Sequence, residues 1–145
     1  MISSINIKKI WEDDDMIEVT VTISDGSSVF ATNVYVGNVT LEETLSELNR
    51  FKTHVHGGLY DLTWGAFGPE YASGAVSIRL HFYHQARLCI SCKSESEYFD
   101  FGKKHIAQSA EQYFYSEPAL LDRFIEELGS IASGSGFEAT LECKN

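Results

Sequence analysis

The stretch IEVTVTI, residues 17–23, alternates apolar and polar side chains with a period of two. Successive side chains of a strand point to opposite faces, so this period is typical of a strand with one buried face. Asp25 and Gly26 follow at once, and glycine accepts the positive φ that a tight hairpin turn requires. Residues 29–36 are rich in β-branched and aromatic side chains and predict the returning strand.

Further strands are predicted on both sides of this hairpin. Upstream, residues 5–11 predict a short first strand, and the acidic run 12–15 is the turn that joins it to the hairpin. Downstream, six segments carry strand-forming side chains: residues 59–64, 76–83, 87–93, 98–101, 106–115 and 137–141. Strands therefore make up most of the predicted secondary structure.

The first helix is predicted between these groups of strands. The sequence TLEE, residues 40–43, has the pattern of a capping box, in which a threonine and a glutamate satisfy each other's backbone N–H groups. The apolar stripe continues through Leu45 and Leu48 at helical spacing. The glycine pair 57–58 is expected to end this helix.

The second helix is predicted to begin at Glu117 and Pro118, because proline suits the first turn, where its missing N–H has no partner. A wide apolar stripe runs from there to Gly134, with Glu126 and Glu127 off the stripe. The order of strands, helix, strands and helix predicts a single domain, residues 1–145, of the α+β class. We expect a mostly antiparallel β-sheet with two amphipathic helices packed on one face.

Composition and charge limit the classes of function. With 145 residues, 43% of them hydrophobic, the chain is long enough to bury a core without a metal or a disulfide. Its net charge is −10, from 21 acidic and 11 basic side chains, which disfavours binding to nucleic acid or to an anionic membrane. The same charge favours rapid encounter with a basic partner. No membrane span of roughly 20 apolar residues and no signal peptide stand out, so we expect a cytoplasmic protein.

Cys89 and Cys92, in the stretch LCISC, have the spacing of a redox pair or of half a zinc site. Residues three apart on a strand point to opposite faces, so neither a shared metal nor a disulfide fits the predicted strand. No helix pattern follows Cys92, and no second cysteine pair supplies the remaining zinc ligands. We therefore expect two strand residues, one buried and one near the surface, and no cofactor.

Histidines offer the alternative of a metal site. His54 and His56 stand two residues apart, and His81 and His84 form a second pair. The first pair falls near the end of the predicted first helix, where partial positive charge suits the helix dipole, and no acidic ligand stands at a matching offset. No Gly-x-Ser-x-Gly sequence supports a nucleophilic serine. We expect no catalytic residue and no metal; a small enzyme or metal-binding domain that uses His54 and His56, or an oligomeric scaffold domain, is the alternative.

The acidic turn is the first candidate for contact with a protein partner. Asp13, Asp14 and Asp15 follow Glu12 without interruption. The run lacks the alternating ligands and the glycine of a calcium loop, so a solvated turn is the simple interpretation and a basic partner the functional one.

Aromatic residues form the second candidate. Tyr60, Trp64 and Tyr71 lie in a segment interrupted by several glycines. Tryptophan and tyrosine dominate the hot spots of protein interfaces, which favours a partner-binding patch. Burial in the core is the alternative, because aromatic side chains bury a large area in either place.

Four segments form a pattern of elements over most of the chain between residues 17 and 131: LEETLSEL at 41–48, SIRLHF at 77–82, RLCISC at 87–92 and EPALLDRF at 117–124. This pattern resembles the small bacterial immunity proteins, which protect cells from their own polymorphic or wall-associated toxins. The resemblance implies a non-enzymatic protein that neutralises a cognate toxin by occlusion, with no catalytic residues. Many such toxins are nucleases with a basic cleft, so the expected partner is a basic toxin domain to which charge steers an acidic inhibitor.

Overall fold

The computed structural model describes residues 3–71, 73–84 and 86–144. Its strands are β1 (Ser4–Glu12), β2 (Met16–Ser24), β3 (Val29–Gly37), β4 (Leu59–Trp64), β5 (Ala75–His84), β6 (Arg87–Glu95), β7 (Phe99–Phe101), β8 (Lys104–Ile106), β9 (Ser109–Ser116) and β10 (Glu138–Glu142). Helix α1 (Asn38–Phe51) follows β3, and helix α2 (Pro118–Ser133) follows β9. The strand pairs are antiparallel, and the predicted α+β class is confirmed.

The strands form two four-stranded sheets and a small ribbon. The first sheet has the order β10-β1-β2-β3, the second has the order β4-β5-β6-β9, and β7 pairs with β8. In the hairpin of β2 and β3, Ile17 pairs with Val36 and Val19 with Val34, and all four side chains are buried. The alternating pattern in the sequence is therefore the buried face of the first sheet.

Residues 106–115 form parts of two strands instead of the one predicted. β8 ends at Ile106 and β9 begins at Ser109. Between them, Gln108 is held against Ser96: its N–H donates to Ser96 Oγ at 2.9 Å, and its carbonyl accepts from the Ser96 N–H at 2.8 Å. These bonds hold the Gln108 backbone against the segment just after β6, one residue before β9 begins.

Side chains from both sheets and both helices belong to one hydrophobic cluster. Phe51 of α1 stacks on Phe82 of β5 with ring centroids 4.9 Å apart. The predicted apolar stripe of α2 is buried, for example at Phe124, and α2 packs against α1 and β10. Outward-facing side chains such as Tyr35 of β3 and Tyr113 of β9 remain exposed, so the outer face of each sheet is open to solvent.

The ends of α1 differ from the prediction. The N-cap is Gly37, and no side chain caps the helix, so Thr40 lies inside the first turn and the predicted capping box is absent. The helix ends at Phe51. The glycine pair 57–58 lies in a later turn instead. A Cβ on Gly58 would overlap the carbonyl oxygen of His54, so this turn requires glycine there. No helix within the described residues is both long and apolar enough to cross a membrane.

The two sheets approach each other where β3 meets the start of β5. The Gly74 N–H donates to the Asn33 carbonyl at 3.2 Å, and Thr32 Oγ1 donates to the Glu95 carbonyl at 3.3 Å. A Cβ on Gly74 would overlap Thr32 Oγ1, so only glycine permits this approach. The contact places the outer surface of β3 beside the loops that precede β5 and follow β6.

Candidate protein-binding surface

The acidic turn between β1 and β2 is held by hydrogen bonds. Asp13 Oδ1 accepts from the backbone N–H groups of Asp15 and Met16 at 2.8 and 2.9 Å. The Asp15 carbonyl accepts from the backbone N–H of Asn38 at 2.8 Å, and the Asp14 carbonyl accepts from the Asn38 side-chain amide at 3.0 Å. Asn38 is the first residue of α1, so the turn is anchored on the start of that helix.

This ordered turn concentrates negative charge. Its three aspartates are exposed, and in the part of the chain that the structure describes none of them forms an ion pair. The neighbouring Glu12 pairs with Lys9 at 3.3 Å. Glu12 and Glu42 both line a 260 Å³ cleft between the start of α1 and the end of α2. Glu42 thus adds a carboxylate on the first helix next to the cleft that Glu12 lines.

A β-bulge brings two aromatic side chains together beside the turn. The pairing of β1 with β2 shifts between Lys9 and Trp11, which leaves Ile10 as the extra residue. In a regular strand Trp11 would point inward, but after the bulge it pairs with Glu18 on the outer face. Glu18 pairs in turn with Tyr35. The Trp11 and Tyr35 rings meet edge to face at 6.3 Å and are 46% and 44% exposed.

We refer to these neighbouring residues together as the acidic face: Trp11, Asp13, Asp14, Asp15, Glu18 and Tyr35. The row from Trp11 through Glu18 to Tyr35 lies only about two residues, or roughly 7 Å, from the turn along the strands. Carboxylates and exposed aromatic rings thus share one surface.

A pocket of 350 Å³ opens next to Tyr35, where the two sheets meet, and we call it the Tyr35 pocket. Two of its lining side chains are carboxylates, Glu18 on β2 and Glu97 after β6. The others come from β3 and from the loops beside it: Ala31, Thr32, Asn33, Tyr35, Ser73 and Ser96.

Trp64 is a core residue and does not offer the partner-binding surface that the sequence suggested for it. Its side chain is 2% exposed, and its Nε1–H donates to Thr44 Oγ1 at 3.2 Å. The core alternative is therefore correct for Trp64, because the segment 59–64 is a strand whose alternate side chains point inward.

Tyr60 and Tyr71 occupy different surroundings. Tyr60 is partly buried, with its ring 6.1 Å from that of Phe51. Burial, and to a smaller extent the charge of Glu47, raises the pKa of the Tyr60 phenol. Tyr71 is 48% exposed and lies two residues before Ser73, which lines the Tyr35 pocket. Of the three aromatic candidates, Tyr71 is the one that the structure leaves at the surface.

The outer face of the second sheet carries a larger groove, of 560 Å³. Its floor is formed by two small side chains of β6, Cys89 and Ser91. Its walls are formed by larger side chains, Arg79 and His81 of β5 and Tyr113 and Tyr115 of β9. Arg79 donates two hydrogen bonds to Asp61, at 2.8 and 2.9 Å, and thereby lowers the pKa of that carboxyl. This guanidinium already has a carboxylate partner, and the Asp25 carboxyl also lines the groove. The lining therefore carries charges of both signs and selects no single class of ligand.

Cys89 and Cys92 lie on opposite faces of β6, as the sequence predicts. Burial raises the pKa of the Cys92 thiol from 9.0 to about 12 and, less strongly, that of Cys89. Burial, together with the nearby Cys92, also raises the pKa of Cys143. Each shift disfavours the thiolate, which is the nucleophilic and metal-binding form.

The histidine alternative gains no geometric support. His54 and His56 are exposed in the loop after α1, and His81 lies on the outer face of β5. The side chain of His84 lies outside the described residues. Among the residues described, no three His, Cys, Asp or Glu side chains are placed to hold one metal ion.

Sequence reasoning assigned Trp11 and Tyr35 to strands and did not predict that their exposed rings meet on the outer face of the first sheet. A signal for Trp11 was present, because the run IKKIWE, residues 7–12, breaks the alternation expected of a regular strand. No such signal marks the Tyr35 pocket, whose walls come from segments far apart in the chain. Comparison with protein-family models, with curated proteins and with solved structures found no match for this chain.

Proposed function

We propose that this protein is a non-enzymatic, cytoplasmic immunity protein that binds a basic toxin domain through its acidic face and neutralises it by occlusion. The observation that carries the proposal is the acidic turn, in which three exposed carboxylates without ion-pair partners in the described chain stand on an ordered turn beside an exposed aromatic pair.

The two parts of the acidic face suit different stages of binding. Exposed carboxylates steer a basic partner toward the surface and act mainly on the rate of association. Exposed tryptophan and tyrosine side chains supply the anchors that slow dissociation once the partner is seated. Because hydrogen bonds already hold the turn, little conformational entropy is lost when the partner binds.

The size of a protein interface extends the proposal beyond these six residues. A standard interface covers about 800 Å² on each partner, roughly a tenth of the 8084 Å² surface of this protein. The acidic face therefore serves as the centre, and the open outer face of the first sheet supplies the rim. The loop that bears Tyr71 borders this area through Ser73.

The net charge of −10 and the resemblance to immunity proteins support a toxin as the partner. A nuclease cleft is basic because it binds phosphate, and an acidic protein competes for the same charges. Occlusion requires no catalytic group on the inhibitor.

The test is co-expression with the product of the gene immediately upstream. We expect the wild-type protein to protect cells and the triple variant Asp13→Asn, Asp14→Asn, Asp15→Asn to protect them less. Asparagine keeps the Oδ1 acceptor that holds the turn, so the variant changes charge without removing the hydrogen bonds. Glu126→Gln, an exposed change on α2, is the matched control. Absence of both protection and binding would remove the immunity proposal.

A further inference from the structure

We infer that the Tyr35 pocket receives a lysine or arginine side chain of the partner. This inference rests on the proposed function and specifies the chemistry of the same interface. The proposed ligand of the pocket is a cationic side chain on a protein.

The lining of the pocket selects for positive charge. Glu18 of β2 and Glu97 of the loop after β6 both line the pocket, and no Lys or Arg is among the lining residues. Lys8 lies in the same sheet but two strands away, separated from Asn33 by Thr20. A cation in the pocket would therefore meet two carboxylates without competition from a basic neighbour in the lining.

Three other polar side chains in the lining already form hydrogen bonds within the protein, so the two carboxylates are the groups that would bind the cation. Thr32 Oγ1 donates to the Glu95 carbonyl at 3.3 Å, and Ser96 Oγ donates to the Glu97 carbonyl at 3.0 Å. Asn33 Oδ1 accepts from Thr20 at 2.7 Å. These bonds hold the walls in place, so the carboxylates of Glu18 and Glu97 are the charged groups left to bind an incoming donor.

The aromatic ring of Tyr35 in the lining favours an organic cation over a metal ion. Tyr35 lines the pocket, and Trp11 stands edge-on to it. A guanidinium or ammonium group gains attraction over the face of such a ring, and a guanidinium also donates hydrogen bonds in a planar fork that matches a carboxylate. The pocket volume of 350 Å³ lies within the range of roughly 300–1,000 Å³ usual for ligand sites.

The test uses the full chain and a small probe, so it does not depend on the identity of the partner. Ethylguanidinium is titrated at constant ionic strength while the backbone amide resonances are followed by NMR, and ethylurea is the neutral control of similar shape. We expect saturable shifts at Glu18, Asn33, Tyr35 and Ser96 with ethylguanidinium and none with ethylurea. The double variant Glu18→Gln, Glu97→Gln should weaken binding at least about threefold. Glu126→Gln should leave it unchanged.

Other results would overturn the inference. Shifts spread evenly over all exposed carboxylates, or shifts that survive the double variant, would mean that the probe senses only the net charge. Equal shifts with calcium chloride would identify the pocket as a metal site. If the Asp13–Asp15 variant loses protection while Glu18→Gln, Glu97→Gln retains it, the proposed function stands and the pocket inference fails.

Discussion

At the residue scale, burial separates the two tryptophan side chains. Trp64 is 2% exposed and hydrogen-bonded to Thr44, whereas Trp11 is 46% exposed beside Tyr35. We expect Trp64→Ala to lower the free energy of unfolding by about 3–5 kcal/mol, because it leaves a cavity and removes the hydrogen bond that the indole donates to the Thr44 hydroxyl. Trp11→Ala should lower it by less than about 1 kcal/mol. Urea denaturation followed by circular dichroism measures both, and equal losses would contradict the assignment of Trp64 to the core.

The buried thiols predict how stability depends on pH. The pKa of Cys92 is about 12 in the folded protein and 9.0 in the unfolded chain, so the folded state holds this proton more tightly. The stabilisation is complete below pH 9 and is lost as pH rises from 9 toward 12. In that window each such group lowers the free energy of unfolding by up to about 1.4 kcal/mol per pH unit.

The measurement for the thiols is the denaturation midpoint between pH 8 and pH 11. Cys92→Ala should give a shallower decline than the wild-type protein, whatever its stability at pH 7. Cys89→Ala is the control, because its side chain is only half-buried and should leave the slope nearly unchanged. Identical slopes for Cys92→Ala and the wild type would mean that Cys92 is not shielded from solvent.

At the element scale, the apolar face of α2 was predictable from the sequence, whereas its hydrogen bond to β10 was not. Its stripe packs as the sequence indicates, and Leu121→Ala, Phe124→Ala or Leu128→Ala should each lower the free energy of unfolding by about 2–5 kcal/mol. Glu126 and Glu127 both lie off the stripe, yet they differ. Glu127 Oε1 accepts from the backbone N–H of Thr140 at 3.0 Å and so ties α2 to the edge strand β10.

We therefore predict different losses of stability when the two glutamates are replaced. We expect Glu127→Ala to lower the free energy of unfolding by about 1 kcal/mol, because the Thr140 N–H loses its acceptor. Glu126→Ala should change it by less than about 0.5 kcal/mol. Thermal and urea unfolding of the pair, run side by side, is the measurement. A Glu127→Ala variant as stable as Glu126→Ala would show that water replaces this bond at no loss.

Elements were predictable where a local pattern decides them, and not where distant segments do. Alternation placed β2 and β3, and the proline at residue 118 placed the start of α2. The start of α1 was misplaced because Asn38 bonds to the acidic turn, 24 residues away from Asp14, and this tertiary contact takes the place of the predicted capping box. The bulge at Ile10, which turns Trp11 outward, likewise depends on its pairing with β2.

At the scale of the whole molecule, the sequence predicts the class but not how the strands divide into two sheets. That division depends on pairings such as Ser4 with Glu142, which join the two ends of the chain. It also creates the Tyr35 pocket, because Glu18 and Glu97 line one pocket only where the sheets approach at Gly74. The acidic turn was visible in the sequence, whereas the aromatic pair and the pocket beside it required the fold.

Charge and shape together predict the kinetics of the proposed complex. If the net charge of −10 steers association, the association rate should fall as salt rises, while the dissociation rate changes much less. The variant with Asp13, Asp14 and Asp15 all changed to Asn should associate more slowly and show a weaker dependence on salt. Trp11→Ala and Tyr71→Ala should instead speed dissociation, by about tenfold if either side chain anchors the partner.

Surface-based kinetics against the upstream gene product, over a salt series, separates these effects. Each variant first needs a circular dichroism spectrum matching that of the wild type, so that loss of binding is not loss of the fold. Glu126→Gln controls for a single change of charge far from the turn. An association rate that changes neither with salt concentration nor with replacement of the three aspartates would exclude steering by this surface. An unchanged dissociation rate for the Trp11 and Tyr71 variants would mean that the anchor lies elsewhere. The groove between Arg79 and Tyr113 would then be the next surface to test.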